Sequence, residues 1–360
     1  MNSIENFKVL KDSLVARGGT INEELLIEVN KKKPLKTTLI LVLSVIGGIL
    51  GIASFIAFIA LVTEANQIEN LIVFFGIVFL IISFFWSRKA ETPSTEGLGI
   101  SLYVSGGISI VLGIAFSNNP SNNILISLSV LIGLLGILFF KSRIITFLGV
   151  LTILISLHCL AVNNELNEAV YILLIFCMYC IIALYIFEVK IRTRSLFLSE
   201  LYLPIRSAII LYTLVSAIIC STLKWVDYYG TDTVTLPLIL CVSLSIALMY
   251  TIYEIFKIVS IQSLLIKIVL FIISLASFIL IGLYYPAFSI GLLVTFWAFK
   301  EYDLKGVAKG SVVFLWALGM FYYDLTYTLL IKSILLIGVG SLLLIAFYLI
   351  KKGGKVYEIK

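Results

Sequence analysis

The residues most able to do chemistry lie near the C-terminal end, on both sides of one short loop. Tyr322, Tyr323 and Asp324 precede the loop, and Lys332 and Ser333 follow it inside an apolar run. A lysine in hydrocarbon is costly and needs a partner, and Asp324 is the acid on the other side of that loop. Two interpretations stay open. The pair closes the last hairpin as a structural ion pair, or the five residues form a binding site.

A histidine and a cysteine pair are the next candidates. His158 is the single histidine, and the nearest acid, Glu165, follows seven residues later. It is either a proton-relay group within the membrane or a structural histidine. Cys177 and Cys180 form a C-x-x-C motif, but continuously apolar sequence surrounds it. Redox or zinc chemistry would need a helix N-terminus or further ligands, so packing is the favoured interpretation.

Three tyrosine pairs recur at the ends of apolar runs in the second half of the chain. Tyrosine favours the headgroup zone of a bilayer because its ring is apolar and its hydroxyl is wet. The pairs therefore predict an aromatic belt, with an outward vestibule for a sugar, lipid headgroup or peptide as the alternative. They are Tyr228–Tyr229, Tyr284–Tyr285 and Tyr322–Tyr323.

Composition determines the environment in which these residues act. Of 360 residues, 61% are hydrophobic and 13% are charged, and the mean hydropathy is +1.13. Soluble domains have about 45–50% apolar and about 25% charged residues. The chain is therefore predicted to be an all-α, polytopic membrane protein whose main partner is the lipid bilayer.

Apolar runs separated by polar clusters predict about twelve transmembrane helices. A bilayer core needs roughly 20 apolar residues at 1.5 Å rise each. The run at 286–299 is the weakest because it is short. The count could fall to ten, because removal of an adjacent pair of runs keeps the number of spans even. The runs are 37–63, 70–87, 98–116, 123–140, 144–162, 169–187, 207–225, 236–256, 264–283, 286–299, 306–323 and 329–350.

Cations sort onto one side of this topology. All but two of the 26 Lys and Arg residues fall on the side that holds both termini, and the exceptions are Lys224 and Lys332. The positive-inside rule then places both termini in the cytoplasm. The chain divides into a cytoplasmic amphipathic tail at 1–36, six helices at 37–187, a cytoplasmic linker at 188–206, six helices at 207–350 and a basic tail at 351–360.

The N-terminal tail has two interpretations. Apolar residues at helical spacing before Gly18 and a capping box at Thr20 and Glu23 predict two short helices. A basic helix on anionic headgroups is the simpler role, and a hairpin that docks a partner is the alternative.

Familiar enzyme motifs are missing from the sequence. It contains no nucleotide-binding P-loop, no H-E-x-x-H zinc motif and no usable G-x-S-x-G elbow. No cofactor or metal site is predicted. A nucleic-acid partner is not predicted either, because the cations behind the net charge of +6 are spread along the cytoplasmic ends of the predicted helices. A non-enzymatic protein is therefore expected.

The closing segment from Phe321 through Ser333, with Gly338 and Gly340 after it, resembles a known family. It is similar to the final hairpin of an uncharacterised bacterial family of multi-span membrane proteins, domain of unknown function family 4401. The resemblance implies a bacterial cytoplasmic membrane location. Members of that family resemble companions of the GDYXXLXXXXP membrane proteins, so kinship implies another multi-span membrane protein as partner.

Three classes of function stay open from sequence. A non-enzymatic membrane component that acts with a partner fits the short loops and the helical tail. A small-solute or ion transporter fits the division into six and six helices. In that case, seven glycines would permit the helices to bend. Close packing through the same glycines is the simpler interpretation. A membrane-embedded enzyme is the third. The glycines are Gly47, Gly48, Gly51, Gly106, Gly107, Gly133 and Gly136.

Overall fold

A computed structural model describes residues 35–62, 65–89, 92–117, 120–140, 142–222, 235–259 and 285–324, with single positions between 267 and 344. Several predictions fall outside these residues. They are the N-terminal helices, Tyr228, Tyr229, Tyr284, Lys332, the tail at 351–360 and most of the predicted spans at 264–283 and 329–350.

Every regular element in the described ranges is helical, and nine of the eleven helices are long and apolar enough to cross a membrane. The prediction of an all-helical, multi-pass membrane protein is confirmed. The helices are α1 (Leu35–Val62), α2 (Ala65–Lys89), α3 (Pro93–Phe116), α4 (Asn122–Phe139), α5 (Arg143–Asn163), α6 (Asn167–Ile186), α7 (Glu188–Arg194), α8 (Leu196–Thr222), α9 (Thr235–Val259), α10 (Pro286–Lys300) and α11 (Leu304–Asp324).

Three helices, α2, α3 and α8, begin at least five residues before their apolar runs. Helix α3 starts at Pro93 because Thr92 and Thr95 form a reciprocal capping box, with proline in the first turn. Helix α8 starts at Leu196, about three turns before the predicted span at 207–225. The segment 188–206, predicted as a linker, is therefore almost entirely helical. An apolar-run criterion stops at charged residues, whereas a helix continues through them when they are paired.

The first half is built around α3, whose buried face consists largely of small residues. Gly106 of α3 and Gly76 of α2 approach so closely that a Cβ on either would lie 2.9 Å from the other's carbonyl oxygen. Gly97 of α3 meets Ser44 of α1 in the same way, and Ser83 of α2 donates a hydrogen bond to the Gly99 carbonyl. Small residues let helix backbones pack tightly, which stabilises helix association in lipid, where the hydrophobic effect does not drive it.

The predicted packing role of the glycines holds for five of the seven. At Gly48, Gly106, Gly107, Gly133 and Gly136, an added Cβ would lie within contact distance of an atom of a neighbouring helix. Gly47 and Gly51 differ, because a Cβ at either would meet nothing within 4 Å in the part of the chain that the structure describes.

The second half is built around α10, the helix predicted as the weakest span. Its 15 residues include ten buried ones, among them Trp297 and Ile290 at 0% exposure. Helices α6, α8, α9 and α11 surround it. A helix that is surrounded by other helices contacts little lipid, so bilayer thickness does not determine its length.

Two exposed turns mark opposite ends of the bundle. Glu165 and Tyr302 both have φ of 57°, in the left-handed region. At each turn the next residue's N–H bonds to the carbonyl five residues back, Leu166 to Ala161 and Asp303 to Ala298. This is a Schellman helix end, a position that glycine usually occupies. We call the end with Tyr302, where Arg88, Arg143 and Lys300 also lie, the basic end.

Gly310→Ala in α11 should destabilise the protein. The added Cβ would lie 2.8 Å from both the Gly291 carbonyl oxygen and the Thr295 nitrogen of α10. Such overpacking costs about 1–3 kcal/mol. The measurement is the free energy of unfolding in mixed detergent micelles.

Gly319→Ala is the matched control because it lies in the same helix with nothing within 4 Å of its Cβ position. It should be neutral or stabilise by up to about 1 kcal/mol, the helix penalty of glycine. Equal losses for both variants would contradict the proposed close crossing.

Candidate functional site

The predicted cluster at the C-terminal hairpin is partly visible. The Tyr285 hydroxyl donates a hydrogen bond to Asp324 Oδ2, and the Tyr322 and Tyr323 rings lie edge to face at 6.2 Å. Burial and the Asp324 carboxylate raise the pKa of Tyr285. Ser333 occupies a helical position. Because Lys332 lies outside the described residues, its pairing with Asp324 stays a prediction.

His158 joins two helices of different halves. Its Nδ1 lies 3.0 Å from the Tyr212 hydroxyl, which links α5 to α8. The same interface buries Leu154, Cys177 and Ala208. A histidine hydrogen-bonded within a packed interface fits the structural interpretation offered from sequence. The described part of the chain contains no group of three or more His, Cys, Asp or Glu residues able to hold a metal ion.

The structure places its densest polar arrangement elsewhere, around Arg206 of α8. The side chain is only 10% exposed, and its guanidinium reaches two carboxylates on different helices. Nη1 donates to Glu188 Oε2 at 2.8 Å, and Nη2 donates to Asp303 Oδ2 at 3.2 Å. A guanidinium suits this role because its planar fork stays charged and can hold two acceptors at once. We call Glu188, Arg206 and Asp303, with Tyr185 and Tyr202, the Arg206 cluster.

Tyrosines complete the surroundings of the guanidinium. The Arg206 Cζ atom lies 4.9 Å from the Tyr185 ring centre and 5.2 Å from that of Tyr202. The Tyr202 hydroxyl accepts from Arg206 Nη1 at 3.2 Å and lies 2.9 Å from the Leu184 carbonyl oxygen. Stacked aromatic faces and a second acceptor replace much of the water that burial removes.

Asp303 performs two tasks at the start of α11. Its Oδ1 accepts from the Gly306 N–H at 3.2 Å, as an N-cap does, while Oδ2 binds Arg206. Gly306 permits this approach, because a Cβ there would lie 2.7 Å from the Ala298 Cβ and 3.0 Å from Asp303 Oδ2. The Tyr185 hydroxyl also borders this space. It is buried and has no hydrogen-bond partner in the described part of the chain.

A second polar group adjoins the cluster through Trp297. The Tyr185 and Trp297 rings stack at 6.2 Å, and the Trp297 indole donates to Thr251 Oγ1 at 2.9 Å. Lys300 lies 4.6 Å from the Trp297 ring centre and pairs with Glu254 at 3.1 Å. Glu188 and Glu254, each close to the end of an apolar run, are both held in ion pairs between helices.

The arrangement is suited to holding helices and charges in place. Glu188 also pairs with Arg192 at 2.9 Å, so the two carboxylates of the cluster are balanced by two guanidiniums when Arg192 is counted with Arg206. The buried Tyr185 hydroxyl beside Asp303 is a donor that could serve a ligand or a proton path. The cluster joins α6 and α7, α8, and the turn between α10 and α11.

Sequence reasoning missed Arg206 and Asp303 as site residues. Arg206 lies directly before an apolar run and was counted as a linker cation. Tyr202 one turn earlier was a usable signal, because positions four apart share a helix face. Asp303 directly before Leu304 was another, because aspartate commonly caps a helix N-terminus.

These features define a multi-pass helical membrane protein with a buried ionic cluster at its basic end. Residues 37–352 match the model of a domain of unknown function, DUF4401, and the chain therefore belongs to that family. The resemblance inferred from sequence is confirmed. Neither curated proteins nor solved structures give a significant match.

Arg206→Gln should destabilise the protein by about 3–5 kcal/mol, because it removes the buried cation shared by the partly buried carboxylates of Asp303 and Glu188. Arg192→Gln is the matched control, since it removes a cation from the same Glu188 at a site that is 45% exposed. It should cost less than about 1 kcal/mol. Free energies of unfolding in detergent provide the comparison.

Neutralising both carboxylates should then rescue part of the loss. Arg206→Gln combined with Glu188→Gln and Asp303→Asn should be more stable than the sum of the separate changes implies. Similar losses for Arg192→Gln and Arg206→Gln, or strict additivity, would contradict a coupled buried cluster.

Proposed function

We propose that the protein is a non-enzymatic membrane component that acts with another multi-span membrane protein, whose helix packs on an open face of α1. The observation that carries this proposal is the environment of Gly47 and Gly51. The two glycines lie four residues apart on one helix face, and a Cβ at either would meet nothing within 4 Å among the described residues. Ser54 continues the stripe, with its hydroxyl bonded to its own helix at the Leu50 carbonyl.

The other small residues of this protein support that interpretation. Gly76 faces Gly106, Gly133 faces Gly149 and Gly291 faces Gly310, each at a close helix crossing. Lipid tails gain nothing from a glycine stripe, whereas a partner helix can approach closely along it. No residue in the most apolar window of α1 is buried, although α1 packs on α3 along one side. The stripe therefore fits a crossing with a helix of another protein.

The proposed orientation places the basic end in the cytoplasm, with about twelve spans in a bacterial inner membrane. Its support is the distribution of cations, all but two of which fall on the side with both termini. The non-enzymatic part of the proposal rests on the absence of recognised catalytic motifs from the sequence.

Cysteine cross-linking in native membranes tests the partner. Gly47→Cys and Gly51→Cys should give a cross-linked product with a different membrane protein, and Gly51→Leu should reduce binding of that protein at least about tenfold by blocking close approach. Ile46→Cys is the control, because it is exposed on the same helix but lies about 100° around it from Gly47.

Three results would contradict the proposal: equal cross-linking from Ile46→Cys, products formed only with copies of this chain, or unchanged binding after Gly51→Leu. Expression and unfolding of the Gly47 and Gly51 variants should match the wild type, because a Cβ at these positions meets no other helix in the described structure.

Transport is the second candidate, and the Arg206 cluster is the observation that favours it. Ionisable groups within a membrane protein often mark ion or proton paths, and the buried Tyr185 hydroxyl lies beside the Asp303 carboxylate of this cluster. Proteoliposomes with an internal pH dye would show proton flux that Tyr185→Phe abolishes while leaving the fold intact. No flux above empty liposomes would contradict this second candidate.

A further inference from the structure

Four helix ends enclose a cavity at the basic end, separate from the Arg206 cluster. Its volume is about 360 Å³, and it opens between the last turns of α2 and α4 and the first turns of α5 and α8. The residues that matter to its chemistry are Arg88, Arg143, Glu200, Leu138, Phe139 and Phe197.

Two arginines reach this cavity without a matching set of acids. Arg88 ends α2 with its guanidinium 4.2 Å over the Phe84 ring, and Arg143 is the first residue of α5. Neither forms an ion pair with the described part of the chain. Glu200 is the one acid in the lining, so the lining carries an excess positive charge.

The start of α5 adds to this positive character. A helix N-terminus carries a partial positive charge and favours an anion, yet this one begins with arginine. Ser142 is at the N-cap, but its side chain makes no capping bond, and its buried hydroxyl oxygen has no partner in the described residues. Arg88 and Arg143 line the cavity at this helix N-terminus, so a bound anion would compensate both guanidiniums and the helix dipole.

The walls of the cavity indicate which anion. Leu138, Phe139 and Phe197 are between 51% and 62% exposed, so apolar surface borders the charged pocket at the ends of membrane helices. A soluble anion gains no favourable contact from these apolar side chains. A phospholipid can place its acyl chains against them and its phosphate at the arginines. A volume near the lower end of the usual 300–1,000 Å³ range fits a headgroup without its chains.

We propose that this cavity binds the phosphate headgroup of an anionic phospholipid from the leaflet at the basic end. Arg88 and Arg143 hold the phosphate, and the exposed apolar side chains contact the upper acyl chain. Basic pockets between transmembrane helices bind lipid phosphates in this way. The proposal is independent of the partner proposed for α1.

Native mass spectrometry of the full chain, delipidated and titrated with phosphatidylglycerol or phosphatidylcholine, tests this site. Wild type should retain phosphatidylglycerol in preference to phosphatidylcholine. The Arg88→Gln/Arg143→Gln double variant should bind phosphatidylglycerol roughly thirtyfold more weakly, from the loss of two cations near the headgroup. Lys89→Gln is the control, because it removes an exposed cation beside Arg88 that does not line the cavity.

Thermal unfolding of each protein without lipid distinguishes a binding defect from a folding defect. The double variant should unfold like wild type, since its arginines make no ion pairs in the described structure. A lower unfolding temperature without lipid would assign the arginines a structural role and overturn the proposal. Equal retention of both lipids would also overturn it, as would an equal loss in Lys89→Gln. Competition by millimolar inorganic phosphate as strong as that by lipid would assign the site to free phosphate instead.

Discussion

Hydrocarbon cannot solvate a charge, and the other features of this structure depend on that constraint. Charged side chains collect at the ends of helices, and the guanidinium of Arg206, buried within α8, is enclosed by Glu188, Asp303 and two tyrosines. Burial of an unpaired charge would cost several kcal/mol. The pairing therefore decides where α6, α8 and α11 meet, because all three must bring their polar groups to one point.

The two halves of the protein differ in the side chains that lie at most of their helix contacts. In the first half, α3 uses glycine and serine so that backbones touch, as at Gly76 and Gly106. In the second half, α10 makes one such contact, between Gly291 and Gly310 of α11, and elsewhere fills its surroundings with large side chains such as Trp297, Phe288 and Ile290. Tight backbone contact suits helices that remain in lipid, and bulky side chains suit a helix that other helices enclose. The difference also explains why α10 can be short.

Sequence patterns predicted the long helices well because lipid imposes a simple rule, about 20 apolar residues per span. They failed at Leu196, where α8 begins, because Glu200 and Arg206 interrupt the apolar run without interrupting the helix. The capping box at Thr92 could have corrected the start of α3, since its signal is local. The Arg206 cluster could not be derived in the same way. Its members lie up to 97 positions apart from Arg206, and their meeting depends on helix packing that one sequence does not reveal.

Site-directed labelling at two exposed turns tests the membrane arrangement most directly. The five native cysteines are replaced, and a single cysteine is introduced as Tyr302→Cys or Glu165→Cys, at turns at opposite ends of the bundle. A membrane-impermeant maleimide should label Glu165→Cys in intact cells and Tyr302→Cys only in inside-out vesicles. Labelling of both from the same side, or of Tyr302→Cys in intact cells, would contradict a bundle with its basic end in the cytoplasm.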